Sequence, residues 1–121
     1  MILVDTSVWI DHLRRPIQEL SQHLRGRRIV CHEMVIGELA CGNLRNRKGA
    51  LHDLGELPVL DTLPAREIID LIETRLWMGR GIGFVDANLL GSVIAHEKAT
   101  LWTRDRRLHR LAGEVGRVHV P

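Results

Sequence analysis

Aromatic residues are scarce. Three tryptophans and one phenylalanine make up 3% of the chain, and tyrosine is absent. Gripping nucleic-acid bases by stacking needs a series of aromatic rings, so a nucleic-acid partner would be held mainly by its phosphates. Cysteine is scarcer still, with only Cys31 and Cys41, and neither sits in a CxxC. Cys31 and His32 are adjacent, which is poor spacing for a tetrahedral zinc site, and reduced thiols are expected rather than a disulfide framework. No apolar run approaches the ~18–20 residues that cross a bilayer. The first residues, MILVDTSVWIDHLRR, carry an aspartate at position 5 and no basic start. That is not a secretory signal, so a cytoplasmic protein without a membrane partner is expected.

What is present is ordinary for a globular protein. Of 121 residues, 45% are hydrophobic and 26% charged, which suits a single domain over 1–121. The net charge of +2 permits a nucleic-acid partner without demanding one.

Short apolar runs alternate with helical patterns. The runs are ILVD (2–5), RIVC (28–31), PVLD (58–61), TLWT (100–103) and RVHV (117–120). Runs this short, apolar on both faces, suit buried parallel strands. Between them, Ile17, Leu20 and Leu24 share a helical face, as do Met34, Val35, Glu38 and Leu39, while Leu51 and Leu54 mark a weaker helix. Ala65, Ile68, Ile69, Ile72 and Leu76 form the clearest stripe, opened by Pro64 and stopped by Gly79, Gly81 and Gly83. FVDANLLGSVIAHEKA reads as a further helix with Leu89, Leu90, Val93 and Ile94 on its apolar side. The alternation predicts an α/β fold, a three-layer α/β/α sandwich around a short, mostly parallel sheet.

In such sheets ligands collect beyond the carboxyl ends of the strands. Asp5 ends the first run, and Asp105 follows the fourth by one residue. Glu38 lies one to two turns into the helix after the second run, and Asp86 lies in the first turn after the glycine loop. All of them can converge on one edge. Unit charges ~4 Å apart repel by ~4 kcal/mol at an effective dielectric of about 20, so such a cluster either raises its pKa values or binds a cation. Oxygen ligands without cysteine or histidine select Mg²⁺ or Mn²⁺. Ions held there could activate a water and stabilise a leaving oxygen in phosphodiester cleavage.

Plainer roles fit the same residues. Asp5, Thr6 or Ser7 could cap the first helix, Asp105 could cap RRLHRL, and Asp86 could answer the dipole of its own helix. Glu38, between apolar neighbours, asks for a partner. A non-catalytic α/β module that binds nucleic acid or protein therefore stands as the alternative.

MILVDTSVWIDHLR, VIGELACG, GRGIGFVDANLL and LWTRDRRL, in that order and over nearly the whole chain, resemble PIN-domain ribonucleases, and specifically the VapC toxins of type II toxin–antitoxin pairs. The resemblance implies an α/β/α sandwich, an Mg²⁺- or Mn²⁺-dependent endoribonuclease, a cognate antitoxin and a homodimer. It assigns Asp5, Glu38, Asp86 and Asp105 as the catalytic and metal-holding carboxylates. Thr6, Ser7 and Thr103 match the family's supporting hydroxyls. Val35 stands where many relatives carry threonine or serine, three residues before the glutamate. Asn88 is close enough in sequence to Asp86 to touch a metal-bound water, or else lies on the helix surface.

Arg104, Arg106 and Arg107 flank Asp105. They make either a solvated face or a phosphate track leading RNA to the pocket. Trp9, Leu13, Trp77 and Met78 are candidates for an antitoxin groove, a dimer seam or the core.

Overall fold

The three apolar residues after Met1 form the central strand. The structure is a computed structural model describing residues 1–121. Strand β1 (Ile2–Val4) lies between β2 (Ile29–Val30) and β3 (Thr100–Trp102), giving the order β2-β1-β3 with both pairings parallel. Ile2 sits opposite both Ile29 and Thr100, and Val4 opposite Trp102. All of β1 is buried, so both faces of the sheet are covered, as expected of a parallel sheet between helix layers.

The remaining runs, PVLD and RVHV, join only at the margins. Val59 bridges Cys31 and Val118 bridges Leu101, each once and in parallel. Cys31 N donates to Pro58 O and Leu60 N to Cys31 O, and a matching pair of bonds joins Leu101 to Arg117 and His119. Val59 is 48% exposed. It lies at the sheet's edge, where a run has neighbours on one side only and pairing stops early.

Seven helices connect the strands: α1 (Thr6–Arg14), α2 (Gln18–Arg25), α3 (Glu33–Ala40), α4 (Arg47–Gly55), α5 (Ala65–Arg75), α6 (Phe84–Ala95) and α7 (Arg106–Glu114). Helix α1 packs on α3, α3 on α4, and α5 on α6. The α5 stripe turns out differently from its sequence pattern. Ile68 is fully buried with Leu71 and Ile72 half-buried, whereas Ile69 and Leu76 face solvent. Only the face directed at α6 is needed, and positions i, i+3 and i+4 fill it.

Helix α6 has no solvent side over most of its length. Every residue from Ala87 to Val93 is buried. Gly91 allows α5 to approach this closely, because a Cβ there would lie 2.5 Å from Ile68 Cδ1. Trp9 and Trp77 are each 3% exposed and belong to the core. Met78 is exposed, and Leu13 is half-buried. Both cysteines are free thiols, Cys31 buried and Cys41 exposed.

A buried histidine ties three elements together. His32 follows the second sheet run and caps α3, its Nδ1 accepting from Met34 N at 3.1 Å. The ring proton is therefore on Nε2, which donates to Ser92 Oγ at 3.0 Å, and Ser92 Oγ donates to Asp61 O at 3.0 Å. This relay works only with neutral imidazole, and burial pushes the His32 pKa below the ordinary 6.5 against a smaller opposing pull from Glu33. A depressed histidine contributes stability fully above the unfolded pKa and loses it as pH falls toward the folded one. Stability should drop between pH 7 and 5, with His32 contributing as much as about 1.4 kcal/mol per pH unit where it titrates. In His32→Asn the amide still caps α3 but has no proton to gain. Urea melts across that pH range should show a shallower slope in the variant than in the wild type.

Candidate active site

The strand order reverses at β1, which has β2 on one side and β3 on the other. Ligand sites in open α/β sheets form beyond the strand ends at such a switch. Asp5 leaves β1 there, and Thr103, Arg104 and Asp105 leave β3 beside it. Asp5 N donates to Trp102 O at 2.9 Å, extending the pairing to the point where the two chains part.

Asp5 is a carboxylate only 5% exposed. Such a group needs donors, and it has three. Thr6 N donates to Oδ1 at 2.7 Å, while Ser7 Oγ at 2.8 Å and Thr103 Oγ1 at 2.7 Å donate to Oδ2. The hydroxyls pass the connection on, since Asp105 N donates to Thr103 Oγ1 at 3.1 Å and Arg104 N to Ser7 Oγ at 3.1 Å. Asp105 is exposed, and its Oδ1 caps α7 by accepting from Arg107 N and Leu108 N. Capping and facing the pocket are compatible here: Oδ1 does the first and leaves Oδ2 without a protein partner.

Glu38 differs from its sequence reading. Val35 and Leu39 are buried, but Glu38 itself is exposed. The helix turns it away from the core and toward α1, where Thr6 Oγ1 donates to its Oε1 at 2.6 Å. Its hydroxyl partner therefore comes from α1, while Val35 packs in the core. Asp86, in the first turn of α6, accepts from Gly83 N at 3.1 Å. Burial raises its pKa above the ordinary carboxylate range. The Gly83 bond opposes this, and the charges of Asp5, Asp105 and Glu38 add to the rise. Asp86 thus senses all three other carboxylates.

No three of the four carboxylates bring oxygens within 4.8 Å of one another; the one group of His, Cys, Asp and Glu that does so lies elsewhere. This is an open ring rather than a closed cage. Asp86, Asp105 and Glu38 each keep one oxygen free of protein donors. The donor set is all oxygen and anionic, so it fits a hard divalent cation that retains waters.

The PIN domain family model matches residues 2–114. Two curated relatives, each named Ribonuclease VapC32, come from Mycobacterium tuberculosis strains CDC 1551 / Oshkosh and ATCC 25618 / H37Rv. Each is 46% identical over 116 residues, covering 96% of this chain and 94% of the relative. The chain belongs to the PIN-domain family. The crystal structure of PAE2754 from Pyrobaculum aerophilum shares the fold, with a TM-score of 0.61 and 18% identity over 95% of this chain and 88% of that one.

In this PIN domain the basic residues are not all free. Arg104 Nη1 pairs with Asp11 Oδ2 at 2.7 Å, both partners about half exposed. Asp11 lies within the first motif, MILVDTSVWIDHLR, but its pairing with a residue 93 positions away depends on the fold. Arg107 lies across the glycine loop, its Cδ 2.4 Å from where a Cβ of Gly81 would be. Gly81 has φ +81, so its backbone and its neighbour both favour glycine. Arg106 is exposed.

Asn88 is the clearest correction. It is 1% exposed, its Nδ2 donates to Phe84 O at 2.8 Å, and its Oδ1 has no partner. Helical residues two apart do not share a face, so it points away from the side that carries Asp86. It is not a surface residue.

A carboxyl with a raised pKa disfavours folding while ionised, and the penalty fades as pH falls through the folded value. Asp86→Asn keeps an acceptor for Gly83 N without the charge. In metal-free buffer at pH 7–8 it should melt roughly 3–5 °C above the wild type, the shift of a ~1 kcal/mol gain. Acidification should narrow that gap. Mg²⁺ should narrow it as well, by stabilising the wild type more than the variant, and differential scanning fluorimetry would read both effects.

Proposed function

We propose that the chain is a metal-dependent endoribonuclease acting as the toxin of a type II toxin–antitoxin pair. The observation that carries this reading is the joining of Asp5 and Asp105 at the ends of adjacent parallel strands through Thr103, with the pKa of Asp86 raised by burial and further by the charges of Asp5, Asp105 and Glu38. The family and the 46% identity to proteins named ribonuclease support the activity. Asp5 and Asp86 would hold the principal Mg²⁺ or Mn²⁺, with Asp105 and Glu38 completing the set directly or through water. A cation bound there supplies Lewis acidity to the scissile phosphate and to the attacking water.

The chain's own residues do the positioning. Ser7 and Thr103 fix the orientation of Asp5, because both hydroxyls donate to its Oδ2. Thr6 steers Glu38 inward from α3. Arg106 and Arg107, at the start of α7 beside Asp105, would meet RNA phosphates, while Arg104 would first have to release Asp11.

The partners follow the same reading: an RNA substrate, a cognate antitoxin and a second copy of the chain, in the cytoplasm. Exposed Met78 and Phe84, which line one surface recess with Ile82 before α6, would offer an apolar face to one of the protein partners. No helix is long and apolar enough to cross a membrane.

Asp5→Asn should lower cleavage of a fluorogenic RNA by more than the roughly 10–100-fold that losing an outer hydrogen-bonding partner costs, and Thr103→Val should fall within that range. EDTA should stop the wild type, and Mg²⁺ or Mn²⁺ should restore it. Undiminished cleavage by folded Asp5→Asn would sink the assignment, and an EDTA-insensitive, RNA-inert protein would favour a non-catalytic binding module.

RNA affinity should fall steeply with salt. Measured on Asp5→Asn, which should bind without cutting, the slope of log K against log salt should flatten by about 0.7 for each phosphate contact removed by Arg106→Ala or Arg107→Ala. A slope unaltered by both changes would return these arginines to the solvated surface.

A further inference from the structure

A second constellation lies away from the acidic pocket. Glu19 and His23 are one turn apart on α2, on the same face. His119 reaches them from the C-terminal segment, which is held to β3 by the Val118 bridge and by His119 N donating to Leu101 O at 2.9 Å. One ligand atom from each residue lies within 4.8 Å of the other two, and no other group in the chain meets that condition. His119 Nε2 is 3.4 Å from Glu19 Oε2. The rings are braced: His119 lies 5.0 Å from the Trp102 ring, and His23 stands edge-on to Trp102 at 6.4 Å and to His119 at 5.4 Å. All three residues are half-buried, so the group is preassembled yet reachable from solvent.

We propose that Glu19, His23 and His119 form a second metal site, selective for a borderline cation such as Zn²⁺ and separate from the acidic pocket. Two imidazoles and one carboxylate suit Zn²⁺, and a water or an external ligand completes the tetrahedron. Mg²⁺ prefers an all-oxygen set, so the two sites are chemically orthogonal. Coordination would clamp the C-terminal segment onto α2 across Trp102.

Arg28 is a built-in competitor. Its Nε donates to His23 Nδ1 at 2.8 Å, and its guanidinium also donates to Gln22 O. Nδ1 is therefore an acceptor, and the proton of the neutral ring sits on Nε2. Binding through Nδ1 displaces Arg28 directly. Binding through Nε2 moves the proton to Nδ1, which then repels the Arg28 donor. Either way Arg28 has to leave, so it lowers affinity both by occupying a lone pair and by its charge.

The test uses the full chain, with Zn²⁺ alone as titrant and Mg²⁺ in excess to occupy oxygen sites, read by calorimetry. Co²⁺ as a second probe should show visible bands of nitrogen-containing tetrahedral coordination. The wild type should bind one Zn²⁺. His119→Ala should lose that binding, and Arg28→Gln should tighten it about tenfold or more, the size of effect an adjacent hydrogen-bonding group has on a metal site. Glu19→Gln, conservative on a partly exposed helix face, should weaken binding even if His119→Ala fails to fold. Zn²⁺ should raise the melting temperature of the wild type but not of the variants that lose the site. Unchanged Zn²⁺ affinity in Glu19→Gln, or no tightening in Arg28→Gln, would overturn the proposal.

Discussion

The hydrogen bond from Thr103 Oγ1 to Asp5 Oδ2 is the contact on which the acidic edge depends. It closes the gap between β1 and β3 just where their backbone pairing ends. Through it a buried carboxylate is neutralised by dipoles rather than by a cation, so no arginine is needed inside the pocket. The same hydroxyl accepts from Asp105 N, so one side chain sets the relative positions of two carboxylates. A lysine or arginine in its place would hold Asp5 equally well but would cancel the field that attracts a metal.

The pocket also shows how acidic residues can be gathered without unfolding the chain. Asp5 and Asp105 each cap a helix, and Asp86 accepts from the backbone at the start of a third. Helix N-termini carry a partial positive charge, so three helix starts supply much of the compensation that a cation would complete. Only Glu38, inside α3, lacks this support, and it is exposed to solvent. The helix starts converge because α1, α6 and α7 all begin at the same end of the sheet.

Much of this was legible in the chain itself. Short apolar runs ending in Asp5, and followed closely by Asp105, placed both residues on one edge, since parallel strands must expose their ends together. Helix α6 was located, but its environment was not. Periodicity implies a wet face, and a helix buried all round over Ala87–Val93 gives no such signal. That is why the surface reading of Asn88 fails. The surroundings of Glu38 were misjudged because adjacent apolar letters do not give the rotation of a helix about its axis. The pairing of Arg104 with Asp11, and the joining of Glu19 and His23 to a histidine about a hundred residues away, depend on tertiary contacts between distant segments. Local pattern carries no information about such contacts.

The burial of α6 gives the pocket two walls of different stiffness. Asp86 stands one residue before the stretch Ala87–Val93 that is enclosed on every side, and Ile68 fills the space that Gly91 leaves open. Its backbone cannot shift without disturbing the core, so its local opening should approach the free energy of global unfolding. Glu38 rides on the outer face of α3 and is tethered by one hydroxyl. The pocket therefore yields more readily on the Glu38 side, while Asp5 and Asp86 form its fixed wall.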